Sequence, residues 1–338
     1  MKQMNLWKKV IWAVDPFAQE SKLQVSAAWA LRTLVAESRA QVEPVYILNE
    51  QPLGVPTVHP DEILRQTENA AQEELDGILA RVKIMSLLPL RVIAGAFSGQ
   101  REVAQKLVSY AKEAEAGLIV LSTHARKGLP RLFMGSFAES LMLYSDIPLF
   151  VVNPSWKSVT DFKHILFPTD FTDESKNVFG SVIELAKTLK ADLTVFHQIP
   201  YMMSPEIQAS YSAYPVFQDV YENELKTAQG EANRMMELAK DQGVEARTHI
   251  EYKYQGSAAS SILEFSRKKH FIVAMAARGT RVSTALLGST ARRVVRESNY
   301  PVWVIHPEQK ETGKVIPLET KIDTAHASLR DSRKVGIK

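Results

Sequence analysis

The 338-residue chain contains no cysteine. That absence excludes a disulfide scaffold, a thiolate zinc site, an iron–sulfur centre and a cysteine nucleophile. Long apolar runs are missing too. The opening segment MKQMNLWKKVIWAVDPF sets lysines before a short apolar stretch, and Asp15 interrupts it well short of a signal-peptide core or a membrane span. It reads as a first β-strand of a cytoplasmic protein with no membrane partner. Charge of one sign is scarce, at 41 basic against 38 acidic residues, too small an excess to draw nucleic acid electrostatically. Seven Lys/Arg and four Asp/Glu fall in 309–338, so the whole net charge of +3 lies there. This stretch lacks a sustained apolar period and reads as a flexible C-terminal extension, with docking on a partner as its functional alternative. The eight histidines show no H-x3-H or H-x-x-E-H spacing, and no G-x-S-x-G elbow, Walker loop or Rossmann G-x-G-x-x-G occurs. Metal, hydrolase, P-loop and dehydrogenase sites lose their support, and any ATPase activity is expected to be slow and incidental.

What is present is an ordinary globular composition, 45% hydrophobic and 23% charged, arranged as an internal repeat. Val10-Ile-Trp-Ala-Val-Asp15-Pro resembles Ile165-Leu-Phe-Pro-Thr-Asp170-Phe, with the aspartates 155 residues apart. Leu118-Ile-Val-Leu121 matches Phe271-Ile-Val-Ala274, Gly135-Ser136 matches Gly288-Ser289, and Pro148-Leu-Phe-Val-Val matches Pro301-Val-Trp-Val-Ile, all at a shift of 153. A register held over this length marks a tandem duplication with its seam near 155–162. The expected domains are 1–157 and 158–308, followed by the extension 309–338.

Short β-branched runs at 9–14, 41–48, 90–95, 117–121 and 149–153 alternate with helical patterns at 23–37, 59–82, 101–114 and 136–144. The second copy repeats the order, with strands expected at 163–169, 192–198, 246–252, 271–275 and 302–306. Alternating β and α predicts an α/β fold, two tandem doubly wound domains each with a five-stranded parallel sheet. Ligands of such sheets bind beyond the carboxyl ends of strands where strand order reverses, which points to the turns after strands one and four.

After strand four of the first copy come Ser122, Thr123, His124, Ala125, Arg126 and Lys127, and later Gly135-Ser136 opening a helix. Unsatisfied amides at a helix start, beside basic residues and a glycine that permits close approach, make an anion site. Ser136 with Glu139 three residues on also has the spacing of a capping box, and the two roles can coexist. In the second copy Arg292 replaces that glutamate. Two arginines at a positive helix end, Arg292 and Arg293, either face an anion there or turn outward to acidic partners. Asp15 and Asp170 end their strands as ligand contacts or as turn residues. His124 suits a phosphate or ribose bond, or a local loop bond. The aromatic and methionine-rich stretch from Tyr201 to Phe217 serves as a contact patch or folds over its own chain.

Pro168-Thr169-Asp170-Phe171-Thr172, the two Gly-Ser turns and the closing apolar strands resemble the universal stress protein family, across 8–154 and 162–307. The resemblance implies a tandem two-domain stress-response binding or regulatory protein, not an enzyme. It also implies ATP or AMP as the ligand with no metal required, a protein partner, and final strands that pair the two halves as a pseudo-dimer, with further homo-oligomers optional. ATP-binding members carry G-x2-G-x9-G-[ST]. Ser122 and Ala125 stand at its first two glycine positions and Gly135-Ser136 at the last. In the second copy Met275, Arg278 and Gly288-Ser289 take these places, or Gly279 does if the loop is one residue shorter. Asp15, Thr169, Asp170 and Thr290 complete the implied contacts. The alternative function is a member without nucleotide that acts through protein contacts or another small ligand.

Overall fold

Strand β1 (Lys9–Ala13) has an apolar, fully buried centre, as a strand covered on both faces requires. Four further strands of the first half follow, β2 (Gln41–Asn49), β3 (Arg91–Gly95), β4 (Leu118–Ser122) and β5 (Leu149–Val152). The second half supplies β6 (His164–Pro168), β7 (Asp192–Pro200), β8 (Ala246–Lys253), β9 (Ile272–Ala276) and β10 (Val302–Ile305). The computed structural model describes residues 8–18, 21–50, 60–123, 135–154, 156, 162–200, 215–253, 256–268, 272–277 and 288–306. Of the expected contact patch at 201–217, residues 201–214 lie outside the described residues, as does the extension, and the last three residues begin a helix.

All ten strands join one sheet in the order β3-β2-β1-β4-β5-β10-β9-β6-β7-β8. Within each half the pairs are parallel, and the halves meet through one antiparallel pair, β5 with β10. The two expected five-stranded sheets are therefore halves of a single sheet, whose final strands cover each other's edges. Phe150 and Trp303 are register partners there, and both are fully buried.

Among the described residues, eight helices cover the sheet: α1 (Ser21–Ser38), α2 (Pro60–Leu79), α3 (Gln100–Glu113), α4 (Ser136–Tyr144), α5 (Asp173–Leu189), α6 (Pro215–Asp241), α7 (Ala258–Ser266) and α8 (Ser289–Glu297). Apolar residues of α1, α2, α5 and α6 pack on one face with Val10, Trp12, Phe150 and Trp303. Those of α3, α4, α7 and α8 pack on the other face with Ile11, Leu149, Val302 and Val304. Neighbouring strand residues thus feed opposite cores, and each core runs through both halves. The seam is also tied down, because Trp156 and Phe162 are buried and stack at 5.8 Å, with Phe162 in turn 5.7 Å from Phe150.

Polar contacts repeat across the junction. Asn153, just after β5, donates from Nδ2 to the carbonyl of Arg296 on α8 at 3.3 Å. His306, just after β10, donates from Nε2 to the carbonyl of Met142 on α4 at 2.8 Å. Burial holds His306 below its ordinary imidazole value, against the opposing pull of that carbonyl and Asp146. His197 and His249 are lowered mainly by burial as well. A histidine kept neutral in the fold must take up a proton on unfolding, so its stabilisation is complete above about pH 6.5 and falls as pH drops through that value. Urea midpoints measured between pH 8 and 5 should therefore decline on the acid side. His306→Gln, which keeps an amide donor but cannot titrate, should flatten the decline.

Glu139 of α4 lies 4.0 Å from Arg292 of α8, so these equivalent positions form an ion pair across the two halves. Both are partly exposed, and such a pair contributes at most about 1 kcal/mol.

Candidate functional site

The strand order reverses between β1 and β4 in the first half and between β6 and β9 in the second, and a cavity opens at each reversal. The first-half cavity has a volume of about 510 Å³. Asp15 follows the end of β1, Tyr46 projects from β2, Ser122 ends β4, and Gly135-Ser136 begins α4; all four positions line it. Four residues chosen from the sequence, Asp15, Ser122, Gly135 and Ser136, are thereby brought together. His124, Ala125, Arg126 and Lys127 lie outside the described residues.

The start of α4 differs from the capping-box expectation. Gly135 is the N-cap, Ser136 is already the first helical residue, and the cap has no side-chain hydrogen bond. The box needs its serine one position earlier, outside the helix. Gly135 itself offers the first amides of α4 no side-chain acceptor, and these amides stand at the cavity next to the helix's partial positive charge. Gly135 has φ −62° and ψ 143°, a backbone open to any residue. Glycine is not required there by conformation, and its distinctive property at this point is the missing side chain.

At the other wall, the Asp15 carboxylate accepts a bond from the Phe17 amide at 3.2 Å, and the Phe17 ring meets Tyr46 edge-on at 5.6 Å. Burial, followed by the charge of Asp15, pushes the Tyr46 hydroxyl above its ordinary value. Tyr46 is half-buried, so a ligand's polar edge against its hydroxyl would be read more strongly than in open water.

The second-half cavity is about 190 Å³ and contains the other group of sequence candidates, Thr169, Asp170, Gly288, Ser289 and Thr290. Thr169 and Asp170 are engaged in local structure, while Gly288 caps its helix without a side-chain bond, as Gly135 does. Asp170 Oδ1 accepts from the Thr172 amide and hydroxyl at 3.2 and 2.7 Å and from the Ser175 hydroxyl at 2.8 Å, while Thr169 Oγ1 accepts from the Phe171 amide at 3.0 Å. This is the turn-residue reading of the strand-end aspartate. Pairing β1 with β2 and β6 with β7 aligns Val45 with Phe196 and Tyr46 with His197. Phe196 is buried against Phe265 and His249, and His197 donates from Nδ1 to the Thr169 carbonyl at 2.8 Å while packing on Phe171. Larger rings thus occupy space that Val45 leaves open.

Two further sequence readings change. β9 occupies 272–276, one residue later than the repeat spacing implied, so Ala276 rather than Met275 corresponds to Ser122. The loop to Gly288 is then one residue shorter than its first-half counterpart, which places Gly279 rather than Arg278 opposite Ala125; both lie outside the described residues. Arg293 bonds Glu297 at 3.1 Å and Ser257 at 2.7 Å, so the acidic-partner alternative describes it; Arg292 comes only to 4.0 Å from Glu139, and its Nε is buried without a hydrogen bond. Tyr46 and Gln24 line the first cavity and were not selected from sequence. The available signal for Gln24 was a single polar residue on the stripe that continues with Ala27, Ala28 and Leu31. Among the described residues, no group of three His, Asp or Glu is placed to hold a metal ion, and no helix is long and apolar enough to cross a membrane.

A model of the universal stress protein family matches residues 6–153 and again 161–306. The chain belongs to the universal stress protein family. Its two matches are in tandem, and they coincide with the two halves of the sheet. A universal stress protein of Methanocaldococcus jannaschii is 26% identical over 155 residues, covering 44% of this chain and 85% of that protein. A universal stress protein structure from Archaeoglobus fulgidus superposes with TM-score 0.59 at 16% identity, covering 90% of this chain and 99% of that one. A structure from Pseudomonas aeruginosa, titled as a universal stress protein, gives TM-score 0.57 at 16% identity over 90% and 95% of the two chains. These likenesses establish a shared fold.

Proposed function

We propose that this universal stress protein is a stress-response regulatory module whose first half binds an adenine nucleotide, ATP or AMP, while its second half serves as a structural partner. The observation carrying this reading is the 510 Å³ cavity, lined by Asp15, Tyr46 and the glycine-capped start of α4. Its size lies inside the ~300–1,000 Å³ range of small-molecule sites, whereas the 190 Å³ second cavity falls below it. The donors at α4 suit a phosphate, and a cleft of this depth suits a base and ribose. Ser122 and Ala125 replace two glycines of the family's ATP-binding pattern, and the same stretch of sequence carries the cations Arg126 and Lys127. No chemical step is assigned to these residues: their role is to bind, and occupancy is the signal passed to a protein partner.

Denaturing the freshly purified protein and identifying released small molecules by mass spectrometry tests the reading. An adenine nucleotide near one per chain is expected. A nucleotide-free chain should gain about 2.7 kcal/mol when ATP is present at a hundredfold its dissociation constant. Finding no nucleotide, together with no thermal shift at millimolar ATP, would favour the member that acts through protein contacts or another small ligand.

A further inference from the structure

Gln24 lies in the first turn of α1, on the face the helix turns toward the sheet. Only 2% of the residue is exposed, yet its carbonyl oxygen Oε1 has no hydrogen-bond partner, and the residue forms part of the first-half cavity wall. A buried amide oxygen without a donor bears its full desolvation penalty. The second half resolves the same position differently. Aligned through the equivalent helices and strands, Ser175 stands opposite Gln24, and its hydroxyl donates to Asp170 at 2.8 Å. In the second half the residue at this position is thus hydrogen-bonded, whereas in the first the Gln24 oxygen is left unpaired in the wall of a cavity that the Asp15 carboxylate also lines.

We infer that Gln24 is a specificity-determining residue, whose buried carbonyl accepts a hydrogen bond from an N–H or O–H donor of the molecule held in the first-half cavity. A ligand that turned an acceptor to Gln24 would be rejected, because a site built for a donor leaves its own oxygen unpaired when the donor is missing. The inference rests on the nucleotide reading and narrows it. On an adenine nucleotide the available donors are the exocyclic amine and the ribose hydroxyls.

Gln24→Met keeps the length of the side chain and removes its polar atoms, so two readouts separate the possibilities. Calorimetry of ATP, ITP and 2′- and 3′-deoxy-ATP on wild type and variant should show ATP weakened about tenfold by the substitution. One analogue, the one lacking the donor that Gln24 reads, should lose no affinity between the two proteins. Equal losses for every nucleotide, or an unchanged ATP affinity, would overturn the inference. The second readout is the melting temperature of the nucleotide-free protein. It should rise in Gln24→Met, because an unpaired buried oxygen has been removed, and a fall would show that Gln24 is structural. If wild type binds none of the four nucleotides, the nucleotide reading fails; a raised melting temperature would still support Gln24 as a group kept for a ligand, and an unchanged or lowered one would overturn that too.

Discussion

Trp303→Ala should destabilise the ten-stranded unit by about 3–5 kcal/mol, the range for deleting a large ring from a packed core. Trp303 is 0% exposed, sits in the core beneath α1 and α5, and is the register partner of Phe150 across the single antiparallel junction. Phe150 is likewise 0% exposed and packs on Phe162 from the seam. The loss would therefore strike the one strand pair that unites the halves. Phe150→Ala should cost a similar amount. The double variant should lose less or more than the sum by about 0.5–3 kcal/mol, because the two rings share one packing site. Urea unfolding measures all three. A cost below about 1 kcal/mol for Trp303→Ala would mean that the halves are stabilised separately and that the β5–β10 pair is incidental.

Much of this architecture was legible in the residues. Apolar β-branched runs between helical patterns located all ten strands to within about two residues, because strands buried on both faces must be apolar throughout. The closing strands Leu149–Val152 and Val302–Ile305 were recognisable as edges that needed cover, and each covers the other. The merging of two sheets into one was implied by the family resemblance, since a strand's own sequence does not name its partner. The β9 register slipped by one residue because the matching Ile-Val pairs of the two copies are not equally placed in their strands, and local similarity carries no information about pairing.

The site divided along the same line. Residues fixed by chain connectivity, Asp15 after β1, Ser122 ending β4 and Gly135-Ser136 at α4, line one cavity at one reversal point. Contributions from neighbouring elements were not visible. Tyr46 reaches the cavity from β2 and Gln24 from α1, and each looks like an ordinary element residue when read along the chain. The difference between the halves was hidden for the same reason: it depends on Phe196 standing where Val45 does, a comparison that becomes meaningful only once the strands are in register. The capping box failed by one position, since Gly-Ser before a helix does not reveal which of the two residues is the cap.

The central claim is that one half binds nucleotide and the other does not, and Gly135→Trp compared with Gly288→Trp tests it most directly. Gly135 at φ −62° and Gly288 at φ −52° both have backbones that a side chain tolerates, so neither variant should suffer conformational strain. At Gly135 the indole would stand at the wall of the 510 Å³ cavity, beside the first amides of α4, where a phosphate would approach. At Gly288 it would stand at a cavity of 190 Å³ in which Asp170 is already bonded to Thr172 and Ser175. Calorimetric titration of the nucleotide-free proteins with ATP should give one site per chain for wild type. Gly135→Trp should bind at least a hundredfold more weakly with its melting temperature nearly kept, and Gly288→Trp should bind as wild type does. Two sites in wild type, or equal affinity in both variants, would contradict the assignment of binding to the first half.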